Sequence, residues 1–248
     1  MHFERYWVYS SKLIFKGGLL LSYYLDILRE TIDVDLLARE LNSEKDNIIR
    51  IIKEISNISI NDGFELAFSD IEYLEHQHMN YPGFRIKLFA KFGNMKDKFH
   101  LDIGVGDTVE PVKINLPLFT HKMQPLFSDE LSLMVYPVET IFSEKLETVI
   151  SRGGFNSRMK DFHDLYLLCK SEGIINAGSL KQTIKDTFRN RRTIFEMPIQ
   201  FDDREMRTLN NMWRRHLNTL GNNIVSELGL PLSLADDINE LNSFIDSI

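Results

Sequence analysis

The chain has 248 residues, of which 43% are hydrophobic and 26% are charged, an ordinary balance for a globular protein with a buried core. Its formal net charge of −7 argues against an affinity for nucleic acid over the whole surface. A single cysteine excludes an internal disulfide, and the apolar runs are too short to cross a bilayer, so we expect a cytoplasmic protein with no membrane segment.

Two helices are predicted near the start of the chain. Apolar residues at helical spacing favour a helix over 3–13, and a second apolar segment, Leu19–Leu28, follows the glycine pair Gly17-Gly18. Because glycine has no Cβ, the backbone N–H groups of such a pair can approach a phosphate closely. The pair therefore predicts a phosphate contact, with an ordinary turn as the alternative.

An acidic pair follows on a predicted strand. Asp33 and Asp35 alternate with apolar residues, which indicates a strand with both carboxylates on one face, a few ångströms apart. The alternating apolar residues are Ile32, Val34 and Leu36. Two such carboxylates repel each other unless a cation lies between them, and Mg²⁺ prefers oxygen ligands of this kind. The pair is a candidate magnesium site, and the exposed face of an edge strand is the alternative.

The middle of the chain changes from a helical to an extended pattern. Asn42–Ile60 is amphipathic at helical spacing, with Ser43 as the expected N-cap. Three strands with alternating apolar residues are predicted after it, over Phe64–His76, Gly83–Phe92 and Lys98–Val105. A turn at 80–83 is expected to join the first two of these strands.

Asp102 lies on the last of these strands, on the face opposite the apolar residues. Beside Asp33 and Asp35, it would complete a cluster of three carboxylates. Clusters of this kind bind Mg²⁺ and let one acid help to deprotonate an attacking hydroxyl. Asp102 is therefore the candidate third carboxylate, and a solvated strand residue is the alternative.

From Pro137 to the end, the pattern is helical, and Lys145 lies within the apolar stripe of the first helix. A lysine on a buried face is costly unless an anion meets it. The side chain either reaches solvent at the edge of the stripe or meets a nucleoside triphosphate. On the second hypothesis, Lys145→Met is expected to leave the protein at least as stable while weakening triphosphate binding.

A further helix is predicted after Asn156, with Ser157 as a possible cap. Arg158 and Asp161 are three residues apart on one ridge, where an ion pair between them is the alternative to a functional role. His163 is expected at the surface or at its boundary, and Cys169 in the core. No pair of histidines or cysteines has the spacing of a zinc site.

Four motifs in order resemble those of the AbiEii/AbiGii family of nucleotidyltransferase-like toxins. They are KGG…RETIDVD at 16–35, LDIGVGD at 101–107, YPVETIFSEKLE at 136–147 and SRMKDFHD at 157–164. The resemblance implies an α+β protein in which a mixed-sheet nucleotidyltransferase domain, residues 1–135, precedes a helical domain, residues 136–248. The first domain would have the polymerase-β-like fold.

The resemblance also assigns roles to individual residues. It implies that Mg²⁺ is held by Asp33, Asp35 and Asp102. The nucleotide would be bound by Lys16, Gly17, Gly18, Lys145, Arg158, Lys160 and Asp164. The catalytic set would comprise Asp33, Asp35, Asp102, Lys145 and Asp161.

The implied activity is the transfer of a nucleoside monophosphate from a nucleoside triphosphate to an acceptor hydroxyl, with RNA as the expected acceptor because some members of the family modify tRNA acceptor ends. Members are linked to GTP or pyrimidine nucleotides, and the sequence does not select the base. A toxin of this kind would have a cognate antitoxin. Two alternatives are a nucleotide-binding protein that acts through a partner and an enzyme that nucleotidylates protein. Residues 151–192 carry nine Lys/Arg and four Asp/Glu, so this stretch, with Arg189, Arg191 and Arg192, contacts an RNA backbone or a triphosphate, or else is a solvated helical face.

Overall fold

A computed structural model of the chain describes residues 7–59, 63–74, 83–117, 120–121, 124–125 and 130–248. The chain divides into two compact units. The first comprises Met1–Tyr23 and Thr31–Pro137, and the second comprises Tyr24–Glu30 and Val138–Ile248. The main division thus falls two residues after the predicted boundary between 135 and 136, and a short early segment belongs to the later unit.

The first unit is built on a mixed sheet. Its strands are β1 (Leu13–Lys16), β2 (Val34–Ala38), β3 (Phe64–Leu74), β4 (Gly83–Phe92), β5 (Met95–Val105), β6 (Val112–Pro117), β7 (Thr120–His121), β8 (Gln124–Pro125) and β9 (Glu130–Val135). Its helices are α1 (Trp7–Ser10), α2 (Gly17–Tyr24, which runs into the second unit at its last residue) and α3 (Lys45–Ser56). Among the described residues, seven strands form the main sheet, in the order β3-β4-β5-β2-β1-β9-β6.

The centre of this sheet combines both kinds of strand pairing. β2 is antiparallel to β1 and parallel to β5, and β1 is parallel to β9. The first three residues of β1, Leu13, Ile14 and Phe15, are apolar and buried, with Ile14 fully buried. α3 places a stripe of isoleucines in the core, namely Ile48, Ile51, Ile52 and Ile55. These buried apolar residues hold the sheet in place, and its strands in turn position the polar residues of this unit.

The strand predictions agree well with the structure, because alternation reports a half-buried strand directly. β4 has the predicted bounds, and β5 begins three residues before the predicted Lys98. β3 ends at Leu74 in the described residues, and the end of the predicted strand at 75–76 lies outside them, as does most of the expected turn at 80–83.

Three helix predictions in this unit need correction. Of the helix predicted over 3–13, residues 3–6 lie outside the described residues and Trp7–Ser10 is helical. The predicted end is wrong, because Leu13 already begins a buried strand, and short apolar runs do not distinguish a helix from a strand. The second helix ends at Tyr24 rather than Leu28, whose φ of 43° is incompatible with a helix. Ser43 does not cap α3, because Glu44 occupies the N-cap position.

The second unit is helical, as predicted for the chain beyond Pro137. Its elements are α4 (Val138–Arg152), a 3₁₀ turn (Gly153–Phe155), α5 (Met159–Lys170), α6 (Ala177–Arg191), α7 (Asp203–Leu220), α8 (Asn222–Leu228) and α9 (Leu234–Asp246). Large fully buried side chains form its core, including Phe142, Phe162 and Trp213. In the described residues, no helix combines the length and apolar character needed to span a membrane.

α5 is more deeply buried than its sequence pattern indicated. It packs against α4, α7 and α9, so even its polar face is covered, and His163 is fully buried instead of lying at the surface. Ser157 does not cap the helix, because Arg158 occupies the N-cap position. Cys169 is partly buried, and burial raises the pKa of its thiol, which argues against a role as a nucleophile.

α9 contains a buried acid without a partner. Asp237 is fully buried, and neither of its carboxyl oxygens has a hydrogen-bond partner among the described residues. Burial, followed by the nearby Glu240, raises the pKa of Asp237 well above its ordinary value. The folded protein therefore holds this carboxyl in its neutral form at pH values where the unfolded chain ionises it.

We predict that Asp237→Asn stabilises the protein at pH 7 and has little effect at pH 3. As the pH rises above the ordinary aspartate pKa, only the unfolded state loses the proton, so stability falls by up to about 1.4 kcal/mol per pH unit. The asparagine removes this loss. Urea denaturation at both pH values measures the effect, and Asp236→Asn, at an exposed neighbouring position, is the matched control. An equal gain at pH 3 and pH 7 would contradict the assignment.

Candidate functional site

The acidic residues of the first unit lie where β2 meets β5. Asp35 is the second residue of β2, and Asp33 immediately precedes the strand. Asp35 is the register partner of Asp102 across the parallel β2–β5 pair. Adjacent strands are about 4.8 Å apart, so Asp35 and Asp102 are close neighbours on one face of the sheet. The predicted proximity of Asp102 to the acidic pair is therefore present in the fold.

Gly17 lies against one of these carboxylates. It has a φ of 78° at the point where β1 passes into α2, and a Cβ added to it would lie 2.0 Å from Oδ2 of Asp35. Both the backbone conformation and the available space thus require glycine at this position. The N-terminus of α2 is thereby placed beside a carboxylate, an arrangement that the helix dipole favours. A phosphate contact by Gly17 and Gly18 remains a prediction.

Arg85, which sequence reasoning missed, binds the third carboxylate. Its Nε donates to Oδ1 of Asp102 at 2.8 Å and its Nη2 donates to Oδ2 at 2.6 Å. Nη2 also lies 3.8 Å from Oδ2 of Asp33. The bonds to Asp102 raise the pKa of Arg85 despite partial burial, and Asp33 and Asp35 add to this effect. Alternation along β4 placed Arg85 on the polar face, but only the strand register shows its partner.

The described residues contain no group of three or more His, Cys, Asp or Glu side chains arranged to hold a metal ion. Arg85 occupies both oxygens of Asp102, so a ligand role for Asp102 remains a prediction. Mg²⁺ usually takes only one or two protein carboxylates and completes its shell with water and substrate phosphates. Asp33 and Asp35 fit that requirement, and the Asp33 side chain is 46% exposed.

Lys16 ends β1 and forms an ion pair within the same unit. Its Nζ lies 3.0 Å from Oδ2 of Asp107 and donates to the Tyr136 hydroxyl at 3.2 Å. The Tyr136 hydroxyl donates to the same Asp107 oxygen at 3.2 Å. Asp107 and Tyr136 lie within the second and third sequence motifs, which is the signal that could have identified them. A nucleotide contact by Lys16 remains a prediction.

Lys145, in the second unit, is held by two buried carboxylates. Its Nζ lies 2.9 Å from Oδ1 of Asp161 and 2.6 Å from Oδ2 of Asp164, and its side chain is 12% exposed. The lysine therefore does not reach solvent at the edge of the helix. The anions that meet it in this structure are side chains of its own chain, and its contact with a nucleotide remains a prediction.

Arg29 completes this buried network. It belongs to the short segment Tyr24–Glu30, and its Nε and Nη2 donate to the two oxygens of Asp164 at 2.7 and 2.5 Å. Burial raises the pKa of Asp164, but Lys145 and Arg29 outweigh it and lower the value to about 2. Burial likewise lowers the pKa of Lys145, but Asp161 and Asp164 raise it above its ordinary value. Lys145 and Asp164 are therefore both charged at neutral pH.

The other fourth-motif residues lie around the same network. Arg158 donates from Nε to Oδ2 of Asp161 at 2.8 Å, so the predicted ion pair is present, and its side chain is 56% exposed. Lys160 donates from Nζ to the carbonyl oxygen of Glu30 at 3.0 Å. Their nucleotide-binding roles remain predictions.

A pair of histidines adjoins Asp164. Nδ1 of His163 lies 3.0 Å from Nε2 of His216, so one ring donates to the other. Nε2 of His163 has no hydrogen-bond partner among the described residues. Burial lowers the pKa of each ring to about 4. Both histidines are therefore neutral at pH 7.

Two of the three arginines predicted as an RNA contact, Arg189 and Arg191, form ion pairs within the chain. Arg191 is 13% exposed and binds Glu144 at 2.8 Å and Glu147 at 3.0 Å. Arg189 is exposed and pairs with Asp186 at 2.6 Å. Arg191 therefore packs and stabilises α6 against α4 and is not available to RNA in this structure.

We predict that Lys145→Met destabilises the protein by about 3 kcal/mol or more, in contrast to the sequence expectation. Removing one partner of a buried ion pair leaves uncompensated charge behind, here on Asp161 and Asp164. Chemical denaturation measures the loss, and Lys185→Met, at an exposed position of α6, is the control. Adding Asp161→Asn should recover part of the loss. Wild-type stability of Lys145→Met would show that the network contributes nothing.

We also predict a loss of stability as the pH falls from about 6.5 to about 4. In that window the unfolded state binds protons at His163 and His216, and the folded state, with both pKa values near 4, does not. In thermal denaturation, the melting temperature of the double variant His163→Gln/His216→Gln should fall less steeply with decreasing pH across this range than that of the wild type. His100→Gln, at a partly exposed position, is the control, and parallel curves for wild type and double variant would refute the prediction.

Comparisons with known proteins were consistent with the motifs. A profile of the family described as nucleotidyl transferase AbiEii toxin, type IV TA system, matches residues 8–230. No curated protein matches the chain. Among solved structures, JHP933 from Helicobacter pylori is 14% identical with a TM-score of 0.42, over 93% of this chain and 89% of that one. Another H. pylori protein, provisionally described as a nucleotidyltransferase, is 14% identical with a TM-score of 0.41, over 94% and 84%.

These two structural likenesses are too distant to carry an argument about function. The family match is different, because it spans most of the chain and includes the four motifs. On this basis, the chain belongs to the AbiEii nucleotidyltransferase toxin family of type IV toxin–antitoxin systems.

Proposed function

We propose that the protein transfers a nucleoside monophosphate from a nucleoside triphosphate to a hydroxyl of RNA, and that this transfer is its toxic activity. The observation that carries the proposal is the position of Asp35 beside the N-terminus of α2, with Gly17 directly against it and Asp33 immediately before the same strand. Carboxylates that hold Mg²⁺ and a helix terminus that accepts phosphate are the two requirements for binding a metal–triphosphate complex.

Asp33 and Asp35 would hold the Mg²⁺, which supplies charge neutralisation to the phosphates and orients them for in-line displacement. The backbone N–H groups at Gly17 and Gly18 would bind phosphate oxygens. The acceptor oxygen forms a bond to the α-phosphorus while the bond to the leaving pyrophosphate breaks. This displacement changes no oxidation state, so the transfer needs no oxidant and no further co-reactant.

Asp102 would accept the proton of the attacking hydroxyl. An ionised carboxylate has about four acceptor positions, and Arg85 fills two of them. The remaining lone pairs are available to a hydroxyl at the adjacent Asp35. Arg85 therefore serves as a positioning residue that fixes the orientation of Asp102, and it does not itself need to contact the substrate.

Membership of a toxin–antitoxin family also implies a cognate antitoxin. The choice of RNA as acceptor comes from the family resemblance, which includes proteins that modify tRNA ends. The competing acceptor is protein, and the competing function is nucleotide binding without turnover. Incubation with each labelled nucleoside triphosphate and a cell lysate distinguishes the three outcomes by which macromolecule, if any, becomes labelled.

We predict that Asp35→Asn lowers transfer by at least about 100-fold, since stabilisation by a metal ion is worth several kcal/mol. The variant should remain folded, because it removes one of several neighbouring negative charges. Transfer of label to RNA and Mg²⁺-dependent triphosphate binding are the two measurements. Asp46→Asn, on the exposed surface of α3, is the control and should retain wild-type activity. Wild-type turnover by Asp35→Asn would remove the central claim.

A further inference from the structure

β5 extends well beyond its parallel neighbour. The register of the β2–β5 pair begins at Val34 opposite Leu101, so the earlier half of β5, from Met95 to His100, pairs only with β4 among the described residues. Asp33 lies at this step in the sheet, and Nδ1 of His100 is 3.8 Å from its Oδ1. The half of β5 that pairs only with β4 therefore leads directly away from Asp33 and Asp35.

The face of the sheet that carries Asp102 is basic along this half of β5. Residues two apart on a strand share a face and are about 7 Å apart, so Asp102 is followed outward by His100, Lys98 and Lys96. Their register partners on β4 are Arg85, Lys87, Phe89 and Lys91. Lys98 and Lys96 thus carry positive charge on this face to about 20 Å from Asp102.

The acids of the edge strand do not neutralise the lysines of β5. On β3, Glu65 pairs with Lys91 at 3.0 Å, and Asp70 and Glu72 pair with Lys87. These acids are bound to β4. Within the part of the chain that the structure describes, Lys96 and Lys98 have no carboxylate partner. The charge of β5 is therefore available to an external anion.

An aromatic ring lies among these charges. Phe89 is 38% exposed on the polar face, and Nζ of Lys98 lies 5.1 Å from its ring centroid. An exposed phenylalanine ring buries little apolar surface and so contributes little to the stability of the free protein. Proteins that bind single-stranded nucleic acid combine a basic track for the backbone with exposed aromatic rings on which bases stack. The combination of Phe89 with Lys96 and Lys98 has this character.

We propose that an extended single strand of RNA binds along this surface, which we define as Phe89, Lys96, Lys98 and His100, with its reacting hydroxyl at Asp33 and Asp35. The phosphates would contact Lys96 and Lys98, and a base would stack on Phe89. This inference rests on the proposed nucleotidyl transfer to RNA. It places the acceptor on the sheet instead of on the helical stretch that contains Arg191.

The charge of the surface is tested with Lys96→Gln/Lys98→Gln and a labelled, unstructured RNA oligonucleotide. Each lost phosphate contact should flatten the log–log dependence of affinity on salt by about 0.7, and two contacts by about 1.4. The control is Lys113→Gln/Lys185→Gln, which removes two exposed lysines elsewhere. Affinity for the nucleoside triphosphate should be unchanged in both variants.

The ring is tested separately with Phe89→Ala. Loss of one stacked base should weaken RNA binding by about fivefold or more without changing the salt dependence. Phe155→Ala, at a position that is 93% exposed in the helical unit, is the matched control. Circular dichroism of each variant verifies that the fold is retained.

An unchanged salt dependence in the lysine variant, or equal losses in variant and control, would overturn the proposed surface while leaving nucleotidyl transfer to RNA intact. Failure of the wild-type protein to bind RNA would also overturn it. If label then appears on protein in the lysate, the nucleotidyl transfer stands and the RNA acceptor does not. The proposal is supported by weaker RNA binding with a flatter salt dependence in the lysine variant, together with weaker binding in Phe89→Ala.

Discussion

The face-to-face placement of Asp35 and Asp102 across two parallel strands is the constraint on which the first unit depends. The register puts two negative charges next to each other, and Asp33 adds a third nearby. One register row across the sheet contains Glu72, Arg85, Asp102, Asp35 and Lys16. Lys16 and Arg85 thus lie on either side of Asp35 and Asp102, and Arg85 binds Asp102 with two hydrogen bonds. The acidic centre is tolerated because its neighbours in the row compensate it.

The second unit also contains neighbouring carboxylates balanced by cations, and there they are more deeply buried. Asp161 and Asp164 are both buried, and they are balanced by Lys145 and Arg29. Buried ion pairs contribute little net stability compared with apolar packing, but losing one partner is costly. Arg29 comes from a segment over 100 residues away in sequence, so this network fixes the position of Tyr24–Glu30 in the helical unit.

Local patterns predicted the parts of this structure that depend on local periodicity. Alternation located β4, and the helical spacing beyond Pro137 indicated a helical unit. The roles of Arg85 and Arg29 could not be predicted in the same way, because their partners depend on strand register and on a distant segment. Burial of His163 was missed for a related reason: helical periodicity indicates one apolar face, and it does not show that several helices surround α5.

The distribution of charge along β5 also relates the acidic pair to the proposed RNA surface. Asp102 is at one end of the polar face, and Lys98 and Lys96 are at the other. A polyanion is attracted to the lysines and repelled by the carboxylates, so its backbone would favour the outer half of the strand. Its terminal hydroxyl is uncharged and can approach Asp33 and Asp35 at lower electrostatic cost than a phosphate. This distribution of charge along β5 therefore favours an orientation in which an end of the RNA, and not its middle, reaches Asp33 and Asp35.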